Sequence, residues 1–175
     1  MDDIYYLRDY DVEKDINSFH WLRSDPNTMR YFGMNVSTSI SESRKLLTDY
    51  IEAMKKGECY RKVICQKDGL YIGEIGINKI NKEHHRANAF SILLPQYRHR
   101  GISIYIANSF YNYVFKSLDI NRVQALVDTR NLDAKKSLSN IGYQYEGTLY
   151  QYELESDGFV DLDVYALLKK DYIGL

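Results

Sequence analysis

Apolar positions along this chain change their period several times, and each change marks an element. Ile4 to Arg8 suits a first strand, rich in aromatic and aliphatic residues. Asp11 then stands as a cap before Val12, Ile16, Phe19 and Leu22, one apolar stripe of a helix that Asp25-Pro26-Asn27 stops. A short turn of helix through Met29 and Tyr31 leads to Gly33 and a loop. Ser39-Ile40-Ser41-Glu42 has capping-box spacing, and Leu47, Tyr50, Ile51 and Met54 carry the next helix as far as Gly57. From Tyr60 the period shortens. Tyr60 to Gln66 and Leu70 to Ile80 are β-branched or aromatic-rich runs separated by the hairpin signal Lys67-Asp68-Gly69, and Arg86 to Leu94 is a third strand of the series.

The next stretch organises the rest. Ile92, Leu93 and Leu94 close a strand, Pro95 ends it, and Ile102, Ile106, Phe110, Val114 and Leu118 recur at helical spacing from about Gly101. The first turn of such a helix carries N–H groups without intrahelical partners and the positive end of the dipole, where an anion such as a pyrophosphate is stabilised. Gly101 admits a close approach, and Arg98, His99 and Arg100 add basic character. A turn of this kind also occurs in α/β proteins that bind no phosphate, so the local pattern leaves both readings open. Val123 to Val127 is a buried strand, Asn131 caps a helix that Gly142 stops, and Tyr143 to Glu153 pairs with Phe159 to Leu168 around Ser156-Asp157-Gly158. The order β-α-α-β-β-β-α-β-α-β-β predicts an α/β fold with a mixed sheet, without repeats or low-complexity segments.

Length and charge narrow the picture. The 175 residues are expected to form a single domain, 1–175, with a substantial core. Lys and Arg total 23 against 24 Asp and Glu, so the total charge encodes no broad capture of nucleic acid or anionic membrane. Cys59 and Cys65 are too few for a disulfide framework and lack zinc-site spacing, so buried thiols and no metal are expected. No apolar run reaches the roughly 20 residues of a spanning helix, and Met1-Asp2-Asp3 is acidic where a signal peptide would be basic. A cytoplasmic location follows as the expectation. The 17 tyrosines suit half-buried sheet positions, a substrate groove or a subunit interface.

Arg98-x-x-Gly101-x-Ser103 after a strand ending at Pro95 resembles the acetyl-CoA-binding signature of the GNAT N-acetyltransferases, Gln/Arg-x-x-Gly-x-Gly/Ala, with Ser103 a departure at the last position. The element order is that of the GNAT fold, a mixed, mostly antiparallel sheet flanked by helices. Further matches are Asp25-Pro26-Asn27-Thr28-Met29-Arg30-Tyr31, Ile72-Gly73-Glu74-Ile75-Gly76-Ile77, Asn131 through Ile141-Gly142-Tyr143, and Glu146-Gly147-Thr148-Leu149. They resemble most the branch of ribosomal-protein N-terminal and spermidine N-acetyltransferases. The resemblance implies acetyl-CoA as cosubstrate, a primary amine as acceptor, and a homodimer. It also implies that the backbone of Ile92, Leu93 and Leu94 pairs with the pantetheine arm. The pyrophosphate cradle maps onto Arg98, His99, Arg100, Gly101, Ile102 and Ser103, with His99 standing where relatives often carry Gly. Asn131 matches an Asn that contacts the cofactor, and Lys135 and Lys136 follow it on a helix that could reach phosphate oxygens.

The proton-handling groups are harder to transfer. Acetyl transfer to an amine needs a held thioester, a polarised carbonyl, a neutral amine and a proton for the leaving thiolate. Many members of the branch carry a Glu at the position of Asn88, and Asn cannot act as a base. Spermidine acetyltransferases carry a Tyr at the position of Leu138, which argues against polyamine chemistry. Asn88, Glu74 and Tyr145 are the catalytic candidates, with Glu146 and Tyr150 nearby. Sheet carboxylates such as Glu74 and Glu146 are expected to face solvent. Asp161, Asp163 and Tyr165 either attract a cationic amine or form a solvent face of the last strand. Two alternatives stay open, a CoA-binding protein without turnover and an interaction module for nucleic acid or protein.

Overall fold

The computed structural model describes residues 5–33, 35–155 and 157–172. The acidic start Met1-Asp2-Asp3, the first residue of the expected opening strand, Ile4, and Ser156 of the last turn lie outside them. Among the described residues seven strands, five α-helices and two short 3₁₀ turns follow one another as β1 (Tyr5–Arg8), α1 (Val12–Ser24), α2 (Pro26–Met29), α3 (Ile40–Lys55), β2 (Tyr60–Gln66), β3 (Tyr71–Asn81), β4 (Arg86–Leu93), a 3₁₀ turn (Pro95–Tyr97), α4 (Ile102–Ser117), β5 (Arg122–Asp128), α5 (Leu132–Ile141), β6 (Gln144–Glu155), β7 (Gly158–Leu168) and a second 3₁₀ turn (Lys169–Asp171). Strand pairing gives one mixed sheet in the order β1-β2-β3-β4-β5-β7-β6. The residues form two compact units, one up to Lys79 together with Phe90–Ile102, the other Ile80–Ala89 together with Ser103 onward.

In the first unit local signals set the helix starts. Asp11 caps α1 by accepting from the Glu13 and Lys14 amides at 3.1 Å. Ser39 caps α3 through the Glu42 amide at 3.2 Å. Glu42 returns to the Thr38 amide at 2.7 Å, a box one residue wider than the sequence spacing implies. The α1 stripe Ile16, Phe19 and Leu22 is buried, and Leu22 joins Met29, Val63, Cys65, Tyr71, Ile92 and Leu94 in one core cluster. β1 pairs antiparallel with β2, and β2 with β3. β3 starts at Tyr71 and leaves Leu70 exposed, because the turn takes its amide: Asp68 accepts from Leu70 N at 3.0 Å. Cys59 and Cys65 are buried free thiols whose pKa values burial pushes up.

One glycine in this unit is dictated by packing. A Cβ on Gly73 would stand 2.3 Å from the Ile92 carbonyl oxygen and 2.8 Å from Leu93 Cδ2. Backbone of β3 and β4 therefore meets where a side chain has no room. Gly73→Ala is expected to cost about 1–3 kcal/mol, as other overpacked cores do, read as a lower denaturation midpoint at unchanged slope.

In the second unit β4 and β5 are parallel, with the register Arg86↔Arg122 to Asn88↔Gln124. β7 lies antiparallel between β5 and β6, and the β6–β7 register shifts between Tyr145 and Gly147 and again between Leu149 and Glu153. α4 buries Ile106, Ala107, Phe110, Tyr111, Val114 and Phe115. Leu118 lies just past its end, with its amide on the Val114 carbonyl at 3.2 Å. The Tyr111 and Tyr143 hydroxyls meet at 2.8 Å in this core, and burial pushes the Tyr111 phenol up to about 12.

The alternation Asp161, Asp163, Tyr165 is not a solvent face. Asp163 and Tyr165 are buried, because Lys135 from α5 neutralises Asp163 at 2.6 Å and Thr148 donates to it at 2.6 Å. These bonds hold the Asp163 carboxyl below the usual range against the opposing effect of burial. Asp161 in turn accepts from the Gln151 amide at 2.7 Å.

Candidate functional site

Five residues after the end of β4 rebuild the backbone direction. The Tyr97 amide donates to Leu94 O at 2.9 Å and the Arg98 amide to Pro95 O at 3.2 Å, closing a 3₁₀ turn. Two left-handed residues follow, His99 with φ 58° and Gly101 with φ 73°. A position with positive φ favours Gly, so the backbone at His99 holds a conformation that costs a residue with a Cβ more than it would a Gly. At Gly101 the site of a Cβ has nothing within 4 Å. The chain then enters α4 at Ile102, and the amides of the first helical turn have no intrahelical acceptor. Tyr97 braces the turn by donating to Gln66 Oε1 at 2.9 Å, and exposed Arg100 lies over the Tyr97 ring, 5.6 Å from its centroid.

Arg98 differs from the expectation of a phosphate ligand. Its amide is spent in the turn, and its guanidinium is drawn to the protein. Nε donates to Leu93 O at 3.0 Å and Nη2 to Thr28 Oγ1 at 2.7 Å.

Ile92, Leu93 and Leu94 bury their side chains. Leu94 N donates to Ile72 O of β3 at 2.9 Å, and N–H and C=O groups of successive strand residues point to opposite edges, so the Leu93 groups face away from β3. The β4–β5 register ends at Asn88, although β4 continues to Leu93. On that edge the Leu93 carbonyl accepts from Arg98 Nε, so the Leu93 N–H is the group toward which an extended ligand could lie.

Glu74 is a correction. Instead of facing solvent, its side chain is fully buried on β3 and accepts from Arg23 Nη2 at 2.6 Å and from the Tyr71 hydroxyl at 2.5 Å. Arg23 lies against the Phe19 and Phe32 rings, 5.1 and 5.0 Å from their centroids. Burial, and then the charge of Glu74, push the phenols of Tyr10 and Tyr71 well above their ordinary value. A carboxylate so enclosed holds the core together. The sequence carried a weak signal for it, since an apolar β3 run with one central Glu needs an internal cation.

In the second unit Asn131 caps α5, accepting from Ala134 N at 3.1 Å, so its Oδ1 is used by the helix. Lys135 is withdrawn from any phosphate role by Asp163 and the Thr129 carbonyl, at 2.6 and 3.1 Å, whereas Lys136 is exposed. Leu138 is half-buried on α5, and Asn88 half-buried at the end of the β4–β5 ladder. Glu146 is partly exposed and paired with Arg122 at 2.5 Å. Tyr150 is 80% exposed.

Tyr145 is 56% exposed, and its hydroxyl meets Thr148 Oγ1 at 2.8 Å. The Thr148 hydrogen goes to Asp163, which as a carboxylate can only accept. The Tyr145 phenol therefore donates to Thr148 and keeps its lone pairs for an external donor such as an amine. The parts that sequence reasoning missed are the partners, Arg23 for Glu74, Thr28 for Arg98, and Thr148 with Lys135 for Asp163. Beside the weak signal at Glu74, Thr28 carried one, the Asp-Pro-Asn-Thr motif that starts α2.

Among the described residues no group of three or more His, Cys, Asp or Glu is arranged to hold a metal ion, and no helix is long and apolar enough to cross a membrane. The acetyltransferase (GNAT) domain family matches residues 5–144. The uncharacterized N-acetyltransferase p20 of Bacillus licheniformis is 28% identical over 96% of this chain and 94% of its own length. A spermidine N-acetyltransferase from Vibrio cholerae, solved in complex with CoA and spermine, superposes with a TM-score of 0.88 at 21% identity, covering 99% of this chain and 100% of that one. The ribosomal L7/L12 alpha-N-protein acetyltransferase RimL, solved with CoA, gives 0.85 at 18% identity, covering 94% of each.

Proposed function

The chain belongs to the GNAT acetyltransferase family, and from that premise we propose that it moves the acetyl group of acetyl-CoA directly onto a primary amine. The acceptor is a protein N-terminus or a small-molecule amine such as a polyamine or amino sugar. The observation that carries the reading is the turn before α4, where left-handed Gly101 leaves the space of a Cβ empty. There the amides from His99 to Ser103 would hold the pyrophosphate, with Arg100 adding charge. The segment Ile92, Leu93 and Leu94 at the end of β4 would run beside the pantetheine arm, with Leu93, whose main-chain groups face away from β3, supplying the N–H toward the arm or the developing oxyanion. The amine nitrogen attacks the thioester carbon, the C–N bond forms, the C–S bond breaks, the amine loses a proton and the thiolate takes one. Asn131 and Lys136 are further cofactor contacts in this reading.

The catalytic candidates divide by what each can do. Asn88 can hydrogen-bond an acceptor and cannot take its proton. Tyr145 presents lone pairs that suit an ammonium or amine N–H. Glu74 acts through the core it holds. The spermine complex of the V. cholerae protein favours a polyamine, and Leu138, where spermidine acetyltransferases carry Tyr, favours a protein N-terminus. The buried thiols Cys59 and Cys65 suit a cytoplasmic setting. The exposed Tyr150, Tyr152, Leu154 and Phe159 suit a homodimer interface. Neither nucleic acid nor membrane is assigned a part.

Calorimetric titration of acetyl-CoA into the protein is expected to give micromolar or tighter binding, and thiol release with an amine panel then identifies the acceptor. No heat with folded protein would refute the cofactor site. Binding without release for any amine would support a CoA-binding protein without turnover, the reading favoured by Asn88 and Leu138.

A further inference from the structure

We infer that Thr28 and Asp25 are positioning residues for the phosphate-binding turn, acting through the guanidinium of Arg98; the inference rests on the acetyl-CoA reading above. Asp25 caps α2 by accepting from the Asn27 and Thr28 amides at 3.2 and 3.1 Å, and its Oδ2 also accepts the Thr28 hydroxyl. That hydroxyl has given its one hydrogen to Asp25, so its oxygen accepts from Arg98 Nη2 at 2.7 Å. Arg98 Nε meanwhile holds the Leu93 carbonyl at 3.0 Å. The guanidinium is thus a fork, one tine on the end of β4 and the other on the α2 corner.

Three features make this a device for the turn and not a plain surface contact. Thr28 is 8% exposed, so its oxygen has few other donors once Arg98 is removed. Asp25 is held ionised, its carboxyl lowered first by the Thr28 hydroxyl and also by the two amides and the attraction of Arg98. The fork seizes the first residue after the 3₁₀ turn, immediately before left-handed His99 and Gly101. Two fixed points on Arg98 define where those amides point, and a planar five-donor guanidinium can bridge both where an ammonium cannot. Arg98 supplies the pyrophosphate with geometry, and Arg100 and the amides supply the attraction.

The test compares Thr28→Val, which keeps the shape and removes the hydroxyl, with Thr28→Ser, which restores it. Calorimetric CoA affinity and KM are measured for acetyl-CoA and for acetyl-pantetheine, which lacks the pyrophosphate. Thr28→Val is expected to weaken CoA about tenfold and raise the acetyl-CoA KM equally, about 1.4 kcal/mol, with kcat within about twofold. The acetyl-pantetheine KM should not change, and Thr28→Ser should bind within about twofold of wild type. Arg98→Lys, which keeps the charge and loses the fork, should reproduce the Thr28→Val loss and serves if Thr28→Val does not fold. Wild-type affinity in either variant, or equal KM increases for both donors, overturns the inference alone. A wild-type protein that binds no CoA removes the acetyl-CoA reading itself.

Discussion

Gly101→Asp is expected to lower the affinity for acetyl-CoA at least about a hundredfold while leaving the protein folded. Gly101 has φ 73° and open space where its Cβ would stand. Asp enters the left-handed region more readily than most residues, so the backbone accepts it at modest cost. The carboxylate then occupies the place proposed for a phosphate. Two unit charges about 4 Å apart repel by about 4 kcal/mol at an effective dielectric near 20, close to a thousandfold in affinity, and solvent at this exposed turn reduces that toward the stated floor. Gly101→Asn places the same bulk without charge and should lose much less. Calorimetry on both separates repulsion from crowding, and unchanged affinity in folded Gly101→Asp would remove the turn from the cofactor site.

The largest effect on stability is expected at Glu74. Replacing it by Ala leaves Arg23, 1% exposed, as an uncompensated charge in the core. Breaking a buried pair from one side costs about 3–5 kcal/mol, and the Tyr71 hydroxyl also loses its acceptor. Chemical denaturation should show that loss, with Glu74→Gln intermediate because its carbonyl still accepts one hydrogen bond. For whatever fraction folds, kcat should stay near wild type. A folded Glu74→Gln with wild-type stability and a kcat lowered a hundredfold would instead make Glu74 a participant in the chemistry.

Elements whose signal is local were legible along the chain. Asp11, Ser39 and Asn131 each cap the helix that follows, because a side chain two or three residues from a bare amide needs nothing distant to reach it. Pro95 ends β4 and Gly101 precedes α4 for the same reason. Charged residues inside strands were misread. Solvent was expected around Glu74, and a solvent face was one of two readings for Asp163; both are buried, since alternation tells which residues share a face and not whether a cation from another element covers it.

By itself the sequence determined the element order, the strand–turn–helix junction from Leu93 to Ile102 and the family, since each rests on residues close together or on motifs in a fixed order. Only the tertiary structure decided how the charges are spent: Arg23 on Glu74, Lys135 on Asp163, and Arg98 on Thr28 and the Leu93 carbonyl. The physical reason is reach. A cap or a turn is closed by neighbours a few residues away, whereas a long cationic side chain takes whichever acceptor folding brings to it, 51 residues away for Arg23 and 70 for Arg98.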